Sequence, residues 1–97
     1  MGKKVPIDIG TLHFVKKGDA VEYFKSMLNS YSPGEFVTDA DKDILLTALQ
    51  KHPDAKSKIG VGIDNFKVDN AEYKTQCFWV VRLDGSSESF SFRSCLN

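Results

Sequence analysis

Hydrophobic positions between residues 20 and 31 recur with the spacing of one face of an α-helix. Asp19 can cap the start of this helix, and Glu22 follows three residues later, as in a capping box. The predicted buried positions are Ala20, Phe24, Met27, Leu28 and Tyr31. The helix is expected to end at Ser32-Pro33-Gly34, and the alternation over residues 11–16 predicts a short strand before it.

A second helix is predicted from Thr38, whose hydroxyl can cap it, to a stop before Pro53. Its expected buried positions are Ile44, Leu45, Ala48 and Leu49. His52 falls in the predicted last turn, where it either caps the negative helix end or contacts a ligand or partner. Residues 55–58 are predicted to be a short polar connection, and the rest of the chain is typical of β-structure.

Asp84-Gly85 predicts a β-hairpin with a two-residue type I′ turn. Counting outward from that turn places Trp79 opposite Phe90 and Cys77 opposite Phe92 on the face predicted to be buried. The other face is then expected to be exposed, and its prominent members are Phe78, Val80, Arg82, Arg93 and Gln76. A three-residue loop with a bulge is the alternative, and it would invert one strand relative to the other.

These elements predict a single domain over residues 1–97 of the α+β class. The expected architecture is a short N-terminal strand, two helices, and a three-stranded antiparallel meander packed against the helices. A fourth strand would join the sheet if the N-terminal strand pairs with it.

Composition and charge narrow the class of protein. The hydrophobic content of 41% is ordinary for a folded chain, and no apolar run approaches the ~20 residues of a membrane span. The first residues have neither the apolar core of a signal peptide nor the Arg and Ser content of a transit peptide, so a cytoplasmic protein is expected. Thirteen basic and 13 acidic side chains give zero net charge, so any nucleic-acid binding must use a local cationic patch.

The sequence contains no convincing catalytic or metal-binding constellation. Cys77 and Cys95 are expected to point to opposite faces as free structural thiols, and His13 and His52 show no ligand spacing to them. Gly60 and Gly62 begin a GxGxxG-like pattern that fails at Asn65, so they are interpreted as glycines of a bulge or close approach. We therefore predict a protein that is not an enzyme and needs no cofactor.

The chain resembles the DCL-like family, named for the plant "defective chloroplasts and leaves" protein, from about Phe14 to Cys95, and the most informative stretch is its last third. The positions that carry the resemblance are Lys58, Gly60, Gly62, Phe66, Cys77, Asp84, Gly85, Phe90, Ser91, Arg93 and Cys95. Two positions diverge, with Phe92 in place of an expected tyrosine and Ser94 in place of a basic residue. Similarity to this family implies a role in ribosomal RNA processing or in a transcription complex, and stand-alone bacterial and phage domains are similar.

Together, the resemblance and the predicted hairpin face favour a small nucleic-acid-associated module that binds structured RNA. The residues expected to contact RNA are Lys58, Phe78, Arg82, Arg93, Gln76 and His52. Phe78 would stack on an unpaired base while the cations hold phosphates. The alternative, which the zero net charge favours, is a protein-docking domain that recruits a partner to a transcription or RNA-processing complex.

Overall fold

A computed structural model describes residues 6–71 and 75–96. The first five residues, on which the expectation about the N-terminal segment rests, lie outside this part of the chain. The described strands are β1 (Ile7–Ile9), β2 (Leu12–Phe14), β3 (Glu35–Phe36), β4 (Ile63–Asn70), β5 (Gln76–Arg82) and β6 (Ser87–Phe90). The helices are α1 (Lys17–Asn29), α2 (Asp39–Leu49) and α3 (Ala55–Ile59), and a 3₁₀ helix follows over Phe92–Leu96.

The two long helices were predicted well because their signals are local. In α1 the predicted positions Ala20, Phe24, Met27 and Leu28 are buried, whereas Tyr31, also predicted to be buried, lies beyond the helix and is half-buried. The start of α1 was misplaced, since the helix begins at Lys17 and Asp19 lies inside its first turn. In α2 the cap is confirmed, because the Thr38 hydroxyl accepts a hydrogen bond from the Asp41 amide at 3.2 Å.

The connection predicted at residues 55–58 is wrong, because these residues begin the short helix α3. The N-terminal strand exists over Leu12–Phe14, but its partner is β1, so the two form a separate hairpin against α1 and α2. The α+β class and the β4-β5-β6 meander are confirmed, yet the main sheet has four strands in the order β3-β4-β5-β6. Its fourth strand is β3, a two-residue segment between the helices.

The predicted hairpin register is wrong by one residue. Phe78 pairs with Phe90, and Trp79 pairs with Ser89. The turn is a three-residue loop in which Gly85 has a φ of 86° and donates its amide to the Arg82 carbonyl at 2.9 Å. The one-residue slip turns each side chain of β5 to the face opposite to the predicted one, while Phe90 of β6 stays on the buried face. Phe78 is therefore buried with 1% exposure, whereas Trp79, predicted to be buried, lies half-buried on the other face.

The core lies between the helices and one face of the sheet. That face contributes Phe66, Val68, Phe78, Val80 and Phe90, all of them buried. The Phe78 ring contacts the rings of Phe90 and Phe92, with centroid distances of 6.1 and 6.2 Å. The 3₁₀ helix closes the core with Cys95 and Leu96 and contacts both long helices.

Candidate nucleic-acid interface

At the turn end of the sheet, three charged side chains form the Glu88 cluster: Lys58, Arg82 and Glu88. Lys58 Nζ and Arg82 Nη2 each bind one carboxylate oxygen of Glu88 at 2.6 Å. The side chains of Lys58 and Arg82 are only 16% and 12% exposed. The pKa of the Glu88 carboxyl lies below its ordinary value, chiefly because of the hydrogen bond from Lys58 and next because of the hydrogen bond from Arg82.

Arg82 also fastens α3 to the sheet. Its Nε donates to the carbonyl of Lys58 at 2.9 Å, and its Nη2 donates to the carbonyl of Ser57 at 3.2 Å. Gly60 leaves room for this contact, because a Cβ there would lie 3.0 Å from Arg82 Cδ and Nε. Gly62 has a φ of 118° and a similar close approach to Leu83. The interpretation of both as close-approach glycines is confirmed, and no phosphate is needed to explain them.

The opposite end of the sheet, where β5 begins and β6 ends, carries a groove beside α1. Its lining residues are Lys25, Leu28, Asn29, Thr75, Gln76, Cys77, Phe78, Phe90, Ser91, Phe92 and Arg93, and we call it the Arg93 groove. The volume is about 360 Å³. Aromatic and aliphatic side chains form the floor, and polar side chains form the rim.

The charged side chains that line the Arg93 groove in the described part of the chain are both cations. Lys25 and Arg93 are exposed, and none of the described lining residues is a carboxylate. Within residues 6–71 and 75–96, neither cation takes part in an ion pair. The guanidinium of Arg93 lies over the Phe92 ring at 5.5 Å. The rim is therefore able to attract an anion without first breaking an internal salt bridge.

The six residues expected to contact RNA are divided between different places. Gln76 and Arg93 lie on the rim of the Arg93 groove, while Lys58 and Arg82 belong to the Glu88 cluster. The expectation of an exposed Phe78 is wrong, because the register buries this ring in the floor.

His52 lies outside the groove, after the end of α2. Its Nδ1 accepts from the Asp54 amide at 2.9 Å, and its ring meets Phe90 edge-on. Sequence reasoning missed Lys25, because an exposed lysine on a helix shows no signal of its own.

The sheet face turned away from the helices presents a second surface, which we call the outer face. One row across it contains Phe36, Lys67, Trp79 and Ser89 on four adjacent strands. Phe36 is 55% exposed, and Lys67 Nζ lies 5.7 Å from the centre of the Trp79 ring. Lys67 also approaches Asp69 at 3.7 Å, so its charge is partly balanced.

The two cysteines are free thiols in different surroundings. Cys77 is half-buried on β5, and Cys95 is buried in the 3₁₀ helix, where burial raises its thiol pKa to about 11. A thiol with so high a pKa is a poor nucleophile at neutral pH. Over the described ranges, no group of three or more His, Cys, Asp or Glu side chains is placed to hold a metal ion. No helix in those ranges is long and apolar enough to cross a bilayer.

Comparison with known proteins identifies the family. Residues 25–96 match the model of a protein family of unknown function, DUF3223. The chain belongs to this family. The match includes α2, α3, the four-stranded sheet and both ends of it described above.

Similarity to individual proteins confirms the DCL-like resemblance. The chain is 31% identical over 81 residues to the chloroplastic protein DCL of Solanum lycopersicum, covering 78% of this chain and 36% of DCL. It is 32% identical to subunit 1 of the DNA-directed RNA polymerase IV of Arabidopsis thaliana, covering 98% of this chain and 7% of that subunit. The chain thus spans a minor part of these relatives.

A solved structure confirms the fold. The solution NMR structure of an uncharacterized protein from Rhodospirillum rubrum is 50% identical, with a TM-score of 0.89. The similarity covers 99% of this chain and 92% of that protein.

Proposed function

We propose that the chain is a single-domain, non-enzymatic binding module of RNA-synthesis or RNA-processing assemblies, and that it engages RNA through the Arg93 groove. The association with such assemblies is supported by similarity to a subunit of an RNA polymerase. The observation that carries the RNA part is the pair of exposed cations, Lys25 and Arg93, on a groove with no carboxylate among its described lining residues.

The groove resolves the difficulty posed by zero net charge. Lys58 and Arg82 at the turn end both pair with Glu88, so the local balance of charge matters more than the net charge of the chain. Two cations can engage only a few phosphates. Each phosphate contact on a single strand adds ~0.7 to the salt slope, the fall of the logarithm of the binding constant with the logarithm of the salt concentration. Because few phosphates are engaged, binding should be modest in affinity and weakly salt-dependent.

The test is a titration of labelled single-stranded and hairpin RNA at low salt, followed by fluorescence anisotropy. Replacing both cations, Lys25→Gln with Arg93→Gln, should weaken binding and lower the salt slope by ~1.4. The matched control removes two exposed lysines elsewhere, Lys51→Gln with Lys56→Gln, and should leave the slope almost unchanged. Absence of binding at up to ~100 μM protein would overturn the proposal, because even non-specific complexes form in that range.

A second candidate function, protein docking, is favoured by the outer face. Phe36 is 55% exposed beside the half-buried Trp79, and exposed aromatic side chains are enriched at protein interfaces. If this surface recruits a partner, the partner should still be recovered from native lysate after ribonuclease treatment. The Phe36→Ser variant should no longer recover it. Val15→Ser provides the control, since Val15 is 56% exposed but lies outside the sheet.

A further inference from the structure

We infer that the Arg93 groove accepts one nucleotide unit of a single RNA strand, with its base stacked on the Arg93 guanidinium and its phosphate near Lys25. This inference rests on the proposed function and adds to it the part of RNA that is recognised. It requires a flat surface for the base, a hydrogen-bonding edge and a cation.

The flat surface is the guanidinium of Arg93. This group lies over the Phe92 ring at 5.5 Å, and Phe92 in turn stacks on Phe24 with an interplanar angle of 24°. The arrangement supports one side of a planar cation, and Arg93 itself is exposed. Guanidinium planes are a common stacking surface for unpaired bases in RNA complexes.

The hydrogen-bonding edge comes from Gln76. Its Nε2 donates to the Tyr31 carbonyl at 3.0 Å, which fixes the orientation of the side-chain amide. The side-chain oxygen is then the atom that Gln76 offers to a ligand, and it accepts an N–H from the edge of a base. Asn29 and Ser91 on the same rim supply further polar groups.

Size and charge agree with a single nucleotide. The groove volume of about 360 Å³ lies near the lower end of the ~300–1,000 Å³ typical of small-ligand pockets. The aromatic lining residues are apolar, and Lys25 of α1 lines the same groove as Arg93. An aromatic group that carries a negative charge matches this combination, whereas a peptide carboxylate would leave the floor unused.

The experiment compares a single-stranded RNA hexanucleotide with an abasic hexanucleotide of the same charge. Binding is followed by changes in backbone amide NMR signals of the full chain. We expect the natural strand to shift signals of Gln76, Ser91 and Arg93, and the abasic strand to bind ~5- to 150-fold more weakly, the range of one base stack. Arg93→Lys keeps the charge but removes the plane, so it should weaken binding of the natural strand and leave the abasic strand unchanged.

Each result separates the inference from the proposed function. Equal affinity for the natural and abasic strands would overturn base recognition while leaving RNA binding by phosphate contacts intact. Failure of both hexanucleotides to bind while hairpin RNA still binds would overturn the inference alone, and failure of hairpin RNA as well would overturn the proposed function itself. Equal affinity for a free nucleoside monophosphate and the hexanucleotide would overturn the assignment to a strand and make the free nucleotide the ligand.

Discussion

The two ends of the main sheet hold the same kinds of side chain in different surroundings. At the turn end, the side chains of Lys58 and Arg82 are largely shielded from water, and both pair with the single carboxylate of Glu88. At the other end, Lys25 and Arg93 are exposed beside a groove whose lining, as far as residues 6–71 and 75–96 form it, contains no carboxylate. The two ends therefore differ in whether their cations are paired within the protein. Several residues that carry the family resemblance stabilise the structure.

The largest expected effect tests the register that defines both ends. Phe78→Ala should lower the free energy of unfolding by ~3–5 kcal/mol, because the ring is 1% exposed and contacts Phe90 and Phe92. Trp79→Ala, on the outer face, should cost only ~1 kcal/mol. Urea denaturation followed by circular dichroism measures both. A larger loss for Trp79→Ala would show that the faces are reversed.

The register shows where sequence reasoning reached its limit. The helices α1 and α2 were predictable, because their stripes and the Thr38 cap depend on residues within a few positions of each other. In β5 both faces are apolar, with Phe78 and Val80 on one and Trp79 and Val81 on the other. Alternation alone could not choose between them, and Asp84-Gly85 suits both a two-residue and a three-residue loop.

The same slip explains what was missed at the candidate site. In the predicted register Glu88 fell on the face opposite to Arg82, so both cations of the turn end looked available to RNA. In the structure Val80 pairs with Glu88, which places Glu88 on the face of Arg82. Gln76 and Arg93, which were predicted as site residues, do line the groove. The strand β3 was not predicted, because two residues are too few to show a pattern.

The next effect in size concerns the turn end. Arg82→Met keeps most of the aliphatic stem but removes the bonds to Glu88 and to the carbonyls of Ser57 and Lys58. The free energy of unfolding should fall by ~2–3 kcal/mol, because hydrogen bonds to charged groups are among the stronger ones. Lys56→Met, at an exposed position of the same helix, should change it by less than ~0.5 kcal/mol. Equal losses would mean that Arg82 does not fasten α3.

A smaller effect is the pH dependence that Glu88 confers. Its folded-state pKa is lowered by Lys58 and Arg82, so the unfolded chain takes up the proton first as the pH falls. The stabilisation is complete above the unfolded pKa of ~4.3 and is lost as the pH drops through the folded pKa. Because 45% of the Glu88 side chain is exposed, solvent screening should keep this effect below that of Arg82→Met.

The measurement compares urea denaturation of the native chain and Glu88→Gln at neutral and acidic pH. The native chain should lose more stability on acidification than the variant. Glu22→Gln, at an exposed position of α1, should follow the native chain. An equal loss of stability on acidification in the native chain and in Glu88→Gln would show that folding does not change the pKa of Glu88.

The smallest changes in the free energy of unfolding are expected at the groove end, in contrast to the turn end. Lys25→Gln should change the free energy of unfolding by less than ~0.5 kcal/mol, because Lys25 is exposed and enters no ion pair within the described residues. Arg93→Gln should cost ~0.5–1 kcal/mol, the value of an exposed cation–π contact with Phe92. Urea denaturation at neutral pH measures both variants beside Arg82→Met. A loss at Arg93 as large as that at Arg82 would make Arg93 a structural residue, and the groove would then lose the cation on which its proposed role depends.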